Sequence, residues 1–128
     1  MHIMVAEDSI LLSKMIEEAL NKSGYINVTM FPNGQELWDY MQTLEKHQNI
    51  KEKVALVITD IEMPQMDGHR LTKLIKTNQT FKNIPVVIFS SLISEEMRIK
   101  GKQLGADEQL SKPEIGHLVT IMDYLLSR

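Results

Sequence analysis

Val54-Ala-Leu-Val-Ile-Thr-Asp60-Ile-Glu-Met-Pro-Gln-Met-Asp-Gly68 is the stretch from which the fold can be read. The five residues 54–58 are all apolar and rich in β-branched side chains, with no polar alternation. A run of that length reads as a strand buried on both faces. It ends at the carboxylate of Asp60 and then breaks twice, at Met63-Pro64 and at Asp67-Gly68, both turn signals. In an open parallel α/β sheet, ligands bind just beyond the carboxyl ends of the strands. Asp60 is therefore expected at the mouth of a central strand, exposed but walled by apolar backbone. A plainer reading, an aspartate that only opens a turn or caps a helix, is open for this residue alone.

Working outward, the chain alternates strands and helices. Residues 3–6 form a short apolar run that ends at Glu7-Asp8. Leu12, Met15, Ile16, Ala19 and Leu20 then recur at helical spacing, with Ser9 as cap and Gly24 beyond the end. Ile26, Val28 and Met30 alternate with polar residues, as in a strand with one exposed face, and Pro32-Asn33-Gly34 makes a turn. A second helix is predicted over 35–47, with Leu37, Met41 and Leu44 inward, followed by a connecting loop over 47–53. Past the central strand, a helix is predicted over 68–78 with Leu71, Leu74 and Ile75 inward, then a continuous apolar strand over 85–89 that runs into Ser90-Ser91. Ser94-Glu95-Glu96 opens a fourth helix, poor in apolar residues, which contains Gly101 and stops at Gly105. A short mixed strand over 108–111 leads to Lys112-Pro113, and a last helix carries Ile115, Leu118, Val119, Met122, Leu125 and Leu126 on one stripe.

Five strands alternating with five helices imply a parallel sheet with helices on both faces. The first, third and fourth strands are wholly apolar and belong in the centre; the second and fifth are mixed and belong at the edges. The predicted order is 2-1-3-4-5, a doubly wound, flavodoxin-like α/β sandwich. At 128 residues with 43% hydrophobic content, the chain reads as one domain over 1–128. No apolar run approaches the roughly 20 residues of a membrane span. The first residues also lack the pattern of a secretory signal, so a cytoplasmic location is expected. Without cysteine there is no disulfide or thiolate metal site, and the net charge of −3 argues against nucleic acid as a direct partner.

The strand ends converge in this fold on one rim, and reading them off gives Glu7, Asp8, Asp60, Ser90 and Lys112. Crowded carboxylates repel, and a hard divalent cation such as Mg²⁺ is the usual relief. The hydroxyl and the ammonium supply a hydrogen bond and a positive charge for phosphoryl oxygens. The set suits phosphoryl transfer onto a carboxylate, with Asp60 as nucleophile. Taken singly, Glu7-Asp8 reads equally well as capping acids, Ser90 as a loop hydroxyl and Lys112 as a surface lysine; what singles them out is that all fall at strand ends.

These residues, with Asp-Ile-Glu-Met-Pro-x-Met-Asp-Gly around Asp60 and Lys112-Pro113, make the chain resemble the receiver domains of two-component response regulators over essentially its whole length. The resemblance implies a signalling domain that catalyses its own phosphorylation and dephosphorylation. Asp60 would accept the phosphoryl group from a sensor histidine kinase, and Mg²⁺ would lie on Asp8, Asp60 and the Glu62 backbone carbonyl, beside Glu7. Ser90 and Lys112 would hold the phosphoryl oxygens, and the Lys112-Pro113 peptide would be cis. Phe89-Ser-Ser-Leu-Ile-Ser, Lys100-Gly-Lys-Gln-Leu-Gly-Ala-Asp107 and Ser111-Lys-Pro-Glu-Ile-Gly116 are similar to the receiver half of CheV chemotaxis proteins. That similarity implies a CheA-like kinase and a CheW-like coupling domain that the sequence does not contain. The downstream partner would dock on the face of the fourth helix, fifth strand and last helix.

Two positions depart from better-known single-domain receivers. Gln109 stands three residues before the lysine, where many have an aromatic switch residue, and Glu62 can overhang the acceptor or point to solvent. A hydrolase or phosphotransferase using an aspartyl-phosphate on outside substrates is the competing class. Against it, Asp60-Ile-Glu62 lacks a second aspartate and no cap segment is visible. A purely structural module would have no use for the acid, hydroxyl and lysine set, and a flavin or nucleotide binder would want a Gly-rich phosphate loop after the first strand.

Overall fold

The strands β1 (Ile3–Ala6), β2 (Val28–Phe31), β3 (Leu56–Thr59), β4 (Val86–Ser90) and β5 (Glu108–Ser111) pair in parallel in the order β2-β1-β3-β4-β5. The computed structural model describes residues 1–91 and 93–128, with Pro113 in its backbone only. Helices α1 (Ile10–Lys22), α2 (Gly34–Thr43), α3 (Ile50–Lys53), α4 (Gly68–Lys76), α5 (Glu95–Leu104) and α6 (Ile115–Ser127) surround the sheet, and a 3₁₀ turn over Lys112–Glu114 precedes α6.

The predicted order holds, for the reason the sequence suggested. β1, β3 and β4 are buried along their full length, β2 is half-buried throughout, and β5 buries only Leu110. Alternate residues of the central strands feed two cores, one on each face. Met4, Ala6, Val57 and Val86 meet Leu37, Trp38 and Met41 of α2 and Leu71 and Ile75 of α4. Ile3, Val5, Leu56, Ile58, Val87 and Phe89 meet Ile16 and Leu20 of α1 and Leu118, Met122 and Leu125 of α6.

The helices are unequally anchored. Full burial of one large apolar side chain is worth roughly 1.5–3 kcal/mol. α6 buries Leu118, Met122 and Leu125, whereas the only fully buried residue of α5 is Gly101. α5 leans on α4 and β5 and is the outer helix with least apolar hold on the sheet.

Four local expectations are corrected. Met15 is 48% exposed, since it lies about 100° around the helix from the buried Ile16. Ile26 is 84% exposed and lies ahead of β2, which begins at Val28. The second helix ends at Thr43 rather than residue 47, although Leu44 still packs in the core. The expected loop over 47–53 contains the helical turn α3, closed by the Val54 amide on the Ile50 carbonyl at 2.8 Å, with Ile50 resting on the first core.

Asp107 ties this scaffold together at the amino edge of β4. Its Oδ2 accepts from Lys76 Nζ and from the Val86 amide, both at 2.8 Å, and its Oδ1 accepts from Arg128 at 2.9 Å. Burial alone would raise this carboxyl, but the bonds from Lys76, Val86 and Arg128 outweigh it and hold the group below the usual aspartate value. Asp107→Ala leaves the Val86 amide without its acceptor and the Lys76 ammonium with only the Ile84 and Lys82 carbonyls, its countercharge gone, so a loss of about 3 kcal/mol in urea unfolding is expected. The link is fully present above the unfolded aspartate pKa near ~4 and is lost as pH falls through the lower folded value. As pH falls from about 4 through the folded value the wild type should therefore lose stability more steeply than Asp107→Asn; parallel acid limbs for the two proteins would remove Asp107 from this role.

Candidate functional site

The carboxyl ends of β1, β3, β4 and β5 bring the predicted residues together. Glu7 and Asp8 follow β1, Asp60 follows β3, and the Ala6–Thr59 register sets the two acidic ends side by side. The Asp60 amide donates to the Ala6 carbonyl and the Glu7 amide to the Phe31 carbonyl, each at 3.0 Å, so adjacent strands fix both backbones. Ser90 closes β4 opposite Ser111, and Lys112 comes next. Glu7, Asp8, Ser9, Asp60, Glu62, Ser90, Ser91 and Lys112 line one cavity of about 350 Å³ at the switch between the two halves of the sheet.

Lys112 is the electrostatic hub. Its Nζ lies 2.7 Å from Asp60 Oδ2 and 2.9 Å from Glu7 Oε1. The other Asp60 oxygen, Oδ1, accepts from the Ile61 amide at 2.7 Å, and Glu7 Oε2 accepts from the Ser9 amide at 3.0 Å. Both carboxylates are thus oriented through both oxygens. Asp60 is only 6% exposed, deeper than the solvent-facing position expected from sequence. Burial pushes the Glu7 carboxyl up despite the Lys112 hydrogen bond. Burial would also lower the Lys112 ammonium, but its bonds to Asp60 and Glu7 prevail and raise it. Glu7, Asp8 and Asp60 each present a carboxylate oxygen within 4.8 Å of the others, two of the residues buried and Asp8 exposed. Such an all-oxygen anionic donor set fits a hard divalent cation. Ser90 is buried and Glu62 is exposed, each with a place in the cavity wall.

The turn after Asp60 is built more tightly than its punctuation indicated. The Met66 amide donates to the Pro64 carbonyl at 2.8 Å across Gln65, whose φ of 71° is the only positive value among described non-glycine residues. The Gly68 amide donates to the Ile61 carbonyl at 2.8 Å, and Asp67 caps α4 by accepting from the Arg70 amide at 2.8 Å. A Cβ on Gly68 would stand 1.9 Å from the Asp60 carbonyl oxygen. Sequence reading took Gly68 for a turn signal only. A glycine at the first position of a helix, where it is a poor helix former, was the available sign of a close approach.

Gln109 lies away from this cavity. Its Nε2 donates to the Arg98 carbonyl of α5 at 2.9 Å, and its amide covers Gly101, where a Cβ would meet Oε1 at 2.4 Å. In the fold Gly101 makes room for this clasp between β5 and α5. Among the described residues no peptide bond is cis, and the expected cis Lys112-Pro113 peptide, which rests on Pro113, lies outside them, as does Leu92.

Comparison with known proteins agrees with this geometry. The family described as response regulator receiver domain matches residues 3–123. Chemotaxis protein CheV2 of Helicobacter pylori is 34% identical over 125 residues, which cover 98% of this chain and 38% of that protein. Chemotaxis protein CheY of Treponema pallidum is 36% identical over 111 residues, covering 87% of this chain and 72% of that one. Among solved structures, Vibrio cholerae chemotaxis protein CheY4 has a TM-score of 0.82 at 25% identity, covering 98% of both chains. The Mn(2+)-bound form of response regulator Rcp1 has a TM-score of 0.73 at 26% identity, covering 86% of this chain and 79% of that one. The chain spans well under half the length of the CheV2 relative.

Proposed function

This chain belongs to the response regulator receiver domain family, and from that premise we propose that Asp60 accepts a phosphoryl group from the phosphohistidine of a CheA-like sensor histidine kinase. The observation that carries the reading is the Lys112 ammonium 2.7 Å from Asp60 Oδ2 inside a buried acid cluster. An Asp60 oxygen attacks phosphorus, the P–O bond forms, and the P–N bond breaks with its electron pair returning to the imidazole. Charge that develops on the transferred oxygens needs fixed donors. Lys112 and Ser90 are those donors, Lys112 turning part of its charge from Asp60 and Glu7 to the new group. Glu62 is exposed at the cavity wall, where its charge would hinder a water attacking the phosphoryl group. Glu7, Asp8, Asp60 and the Glu62 backbone carbonyl would hold Mg²⁺, which when bound neutralises phosphoryl and carboxylate oxygens together; the Mn²⁺ bound by the related Rcp1 supports a divalent ion here.

In this reading residues 1–128 act as a receiver in chemotaxis signalling. CheV2 and CheY are among the relatives, and a CheW-like coupling domain is the partner module of the CheV type. The kinase partner makes the setting cytoplasmic; among the described residues no helix is long and apolar enough to cross a membrane. Output runs through α5, because Ser90 moves towards the phosphoryl oxygens, draws the following loop with it, and α5 has little apolar anchorage to resist. The docking face for a downstream protein is then residues 97–104, Gln109 and the exposed side of α6.

Beryllofluoride with Mg²⁺, a phosphoryl mimic, tests the scheme by hydrogen exchange. Altered protection over residues 91–104 is expected, with the response lost in Asp8→Ala while that variant keeps its fold, since one of three crowded acids is removed. Changes confined to α1, or an undiminished response in Asp8→Ala, would rule out this route.

A further inference from the structure

One polar side chain of the sheet ties down the middle of α5. Gln109 Nε2 donates to the Arg98 carbonyl at 2.9 Å, and Arg98 Nη1 returns a long bond to the Gln109 carbonyl at 3.4 Å. The carboxamide fits there because residue 101 has no side chain. The three nearest atoms to a Cβ on Gly101 would be Oε1, Cδ and Nε2 of Gln109, all within 3.0 Å. We propose that this clasp is a latch, closed by Gln109 in the resting protein, which must open before α5 moves in response to the acid cavity. The inference rests on the phosphoacceptor reading of Asp60 and adds to it the residue that holds α5 back.

Position, weak anchorage and incomplete satisfaction make the clasp a latch rather than a rivet. In the β4–β5 register Gln109 pairs with Ile88 and Ser111 with Ser90, and Lys112 follows directly. The cap of α5, Ser94, lies just beyond the loop after Ser90. A pull on Ser90 and Lys112 therefore reaches α5 twice, at its start through the loop and at its middle through β5. α5 buries no large apolar side chain, and Ile99 is 50% exposed. With so little apolar burial, a single hydrogen bond is a large share of what seats this helix. That bond is also offset from within the same side chain, because Gln109 Oε1 is buried with no hydrogen-bond partner among the described residues. The Arg98 carbonyl can only accept, so the amide nitrogen must face it and the oxygen is left against the glycine. A buried oxygen without a donor loses its water and gains nothing in return, whereas in the open state both amide atoms reach solvent. The closed state is thus favoured by a small margin, as a reversible device requires.

The test is a double-mutant cycle on the full chain, read by hydrogen exchange over residues 95–104 without ligand and by fluorine NMR of beryllofluoride binding with Mg²⁺. Gln109→Ala should lower α5 protection about fivefold, the weight of one hydrogen bond, while unchanged protection in β3 and α6 reports an intact fold. In that background Gly101→Ala enters vacated space and should raise protection about fivefold through helix propensity. In the wild type the same alanine expels the carboxamide, so its gain is cancelled and protection should barely change. Opening the latch also populates the state that the phosphoryl mimic selects. Gln109→Ala and Gly101→Ala should therefore each bind beryllofluoride up to about fivefold more tightly than the wild type. A merely structural clasp would alter protection and leave that affinity alone. Equal gains from Gly101→Ala in both backgrounds, or wild-type affinity in both single variants, would overturn the latch and leave Asp60 as acceptor. No beryllofluoride binding by the wild type would overturn the phosphoacceptor reading, and the latch with it.

Discussion

Asp60→Asn should lower phosphoryl incorporation from a phosphorylated histidine kinase by at least about a thousandfold, the scale on which removal of a reacting nucleophile is felt. The amide has nearly the shape of the carboxylate but no anionic oxygen to attack phosphorus. It also removes the partner of Lys112 at 2.7 Å, leaving the ammonium to Glu7 alone. The fold should tolerate the change. The amide oxygen can still accept from the Ile61 amide, as Oδ1 does at 2.7 Å, and one charge leaves a crowded acid cluster. The lost ion pair and the relieved repulsion oppose each other, so urea stability should move by no more than about 1 kcal/mol. Incorporation within tenfold of wild type would mean that another residue accepts the group. An unfolded variant would instead show that the Lys112 link is structural, which circular dichroism distinguishes at once.

How much of this was legible in the sequence depends on whether a feature is written in one segment or between two. The central strand, the helix stripe at Leu118, Met122 and Leu125, and the caps Ser9 and Ser94 are local patterns, and the structure contains them all, although the strand expected over 54–58 runs Leu56–Thr59 because Val54 closes the helical turn before it. The rim residues were also readable, because the order 2-1-3-4-5 turns strand ends into neighbours without any knowledge of side-chain contacts. Features between segments stayed hidden. Gln109 and Gly101 are eight positions apart, and neither residue type announces that one fills the space left by the other. His69 is a polar residue in the first turn of α4 that no sequence pattern singles out, yet the packing of α5 against α4 buries it. Met15 failed for a smaller reason: helical periodicity gives the direction of a stripe but not its width, and α1 meets the sheet along a narrow one.

Gly68→Ala separates a contact between segments from a local preference, because the two predict opposite signs. On helix propensity alone, alanine should stabilise α4 by about 1 kcal/mol. The added Cβ, however, would lie 1.9 Å from the Asp60 carbonyl oxygen, 2.9 Å from its carbon and 3.0 Å from the Ile61 Cα. All three are backbone atoms, so no rotamer change relieves the clash. That peptide is also held in place, with Thr59 Oγ1 donating to the Asp60 carbonyl at 2.8 Å and the Gly68 amide donating to the Ile61 carbonyl at 2.8 Å. Either α4 shifts outward or the Asp60-Ile61 peptide turns. Overpacking of this kind costs about 1–3 kcal/mol. A turned peptide also moves the Asp60 carboxylate relative to Lys112, and a misplacement of about 1 Å is worth up to a hundredfold in rate. Loss of both stability and phosphotransfer is therefore expected from one methyl group at a position remote from the phosphoryl oxygens. Gly116→Ala supplies the contrast. It lies in α6 with no described atom within 4 Å of the added Cβ, so propensity alone should decide and the variant should be stabilised by up to about 1 kcal/mol. If both substitutions stabilise the protein, the close approach of α4 to the Asp60 backbone does not constrain the site, and the turn after β3 is free to take alanine.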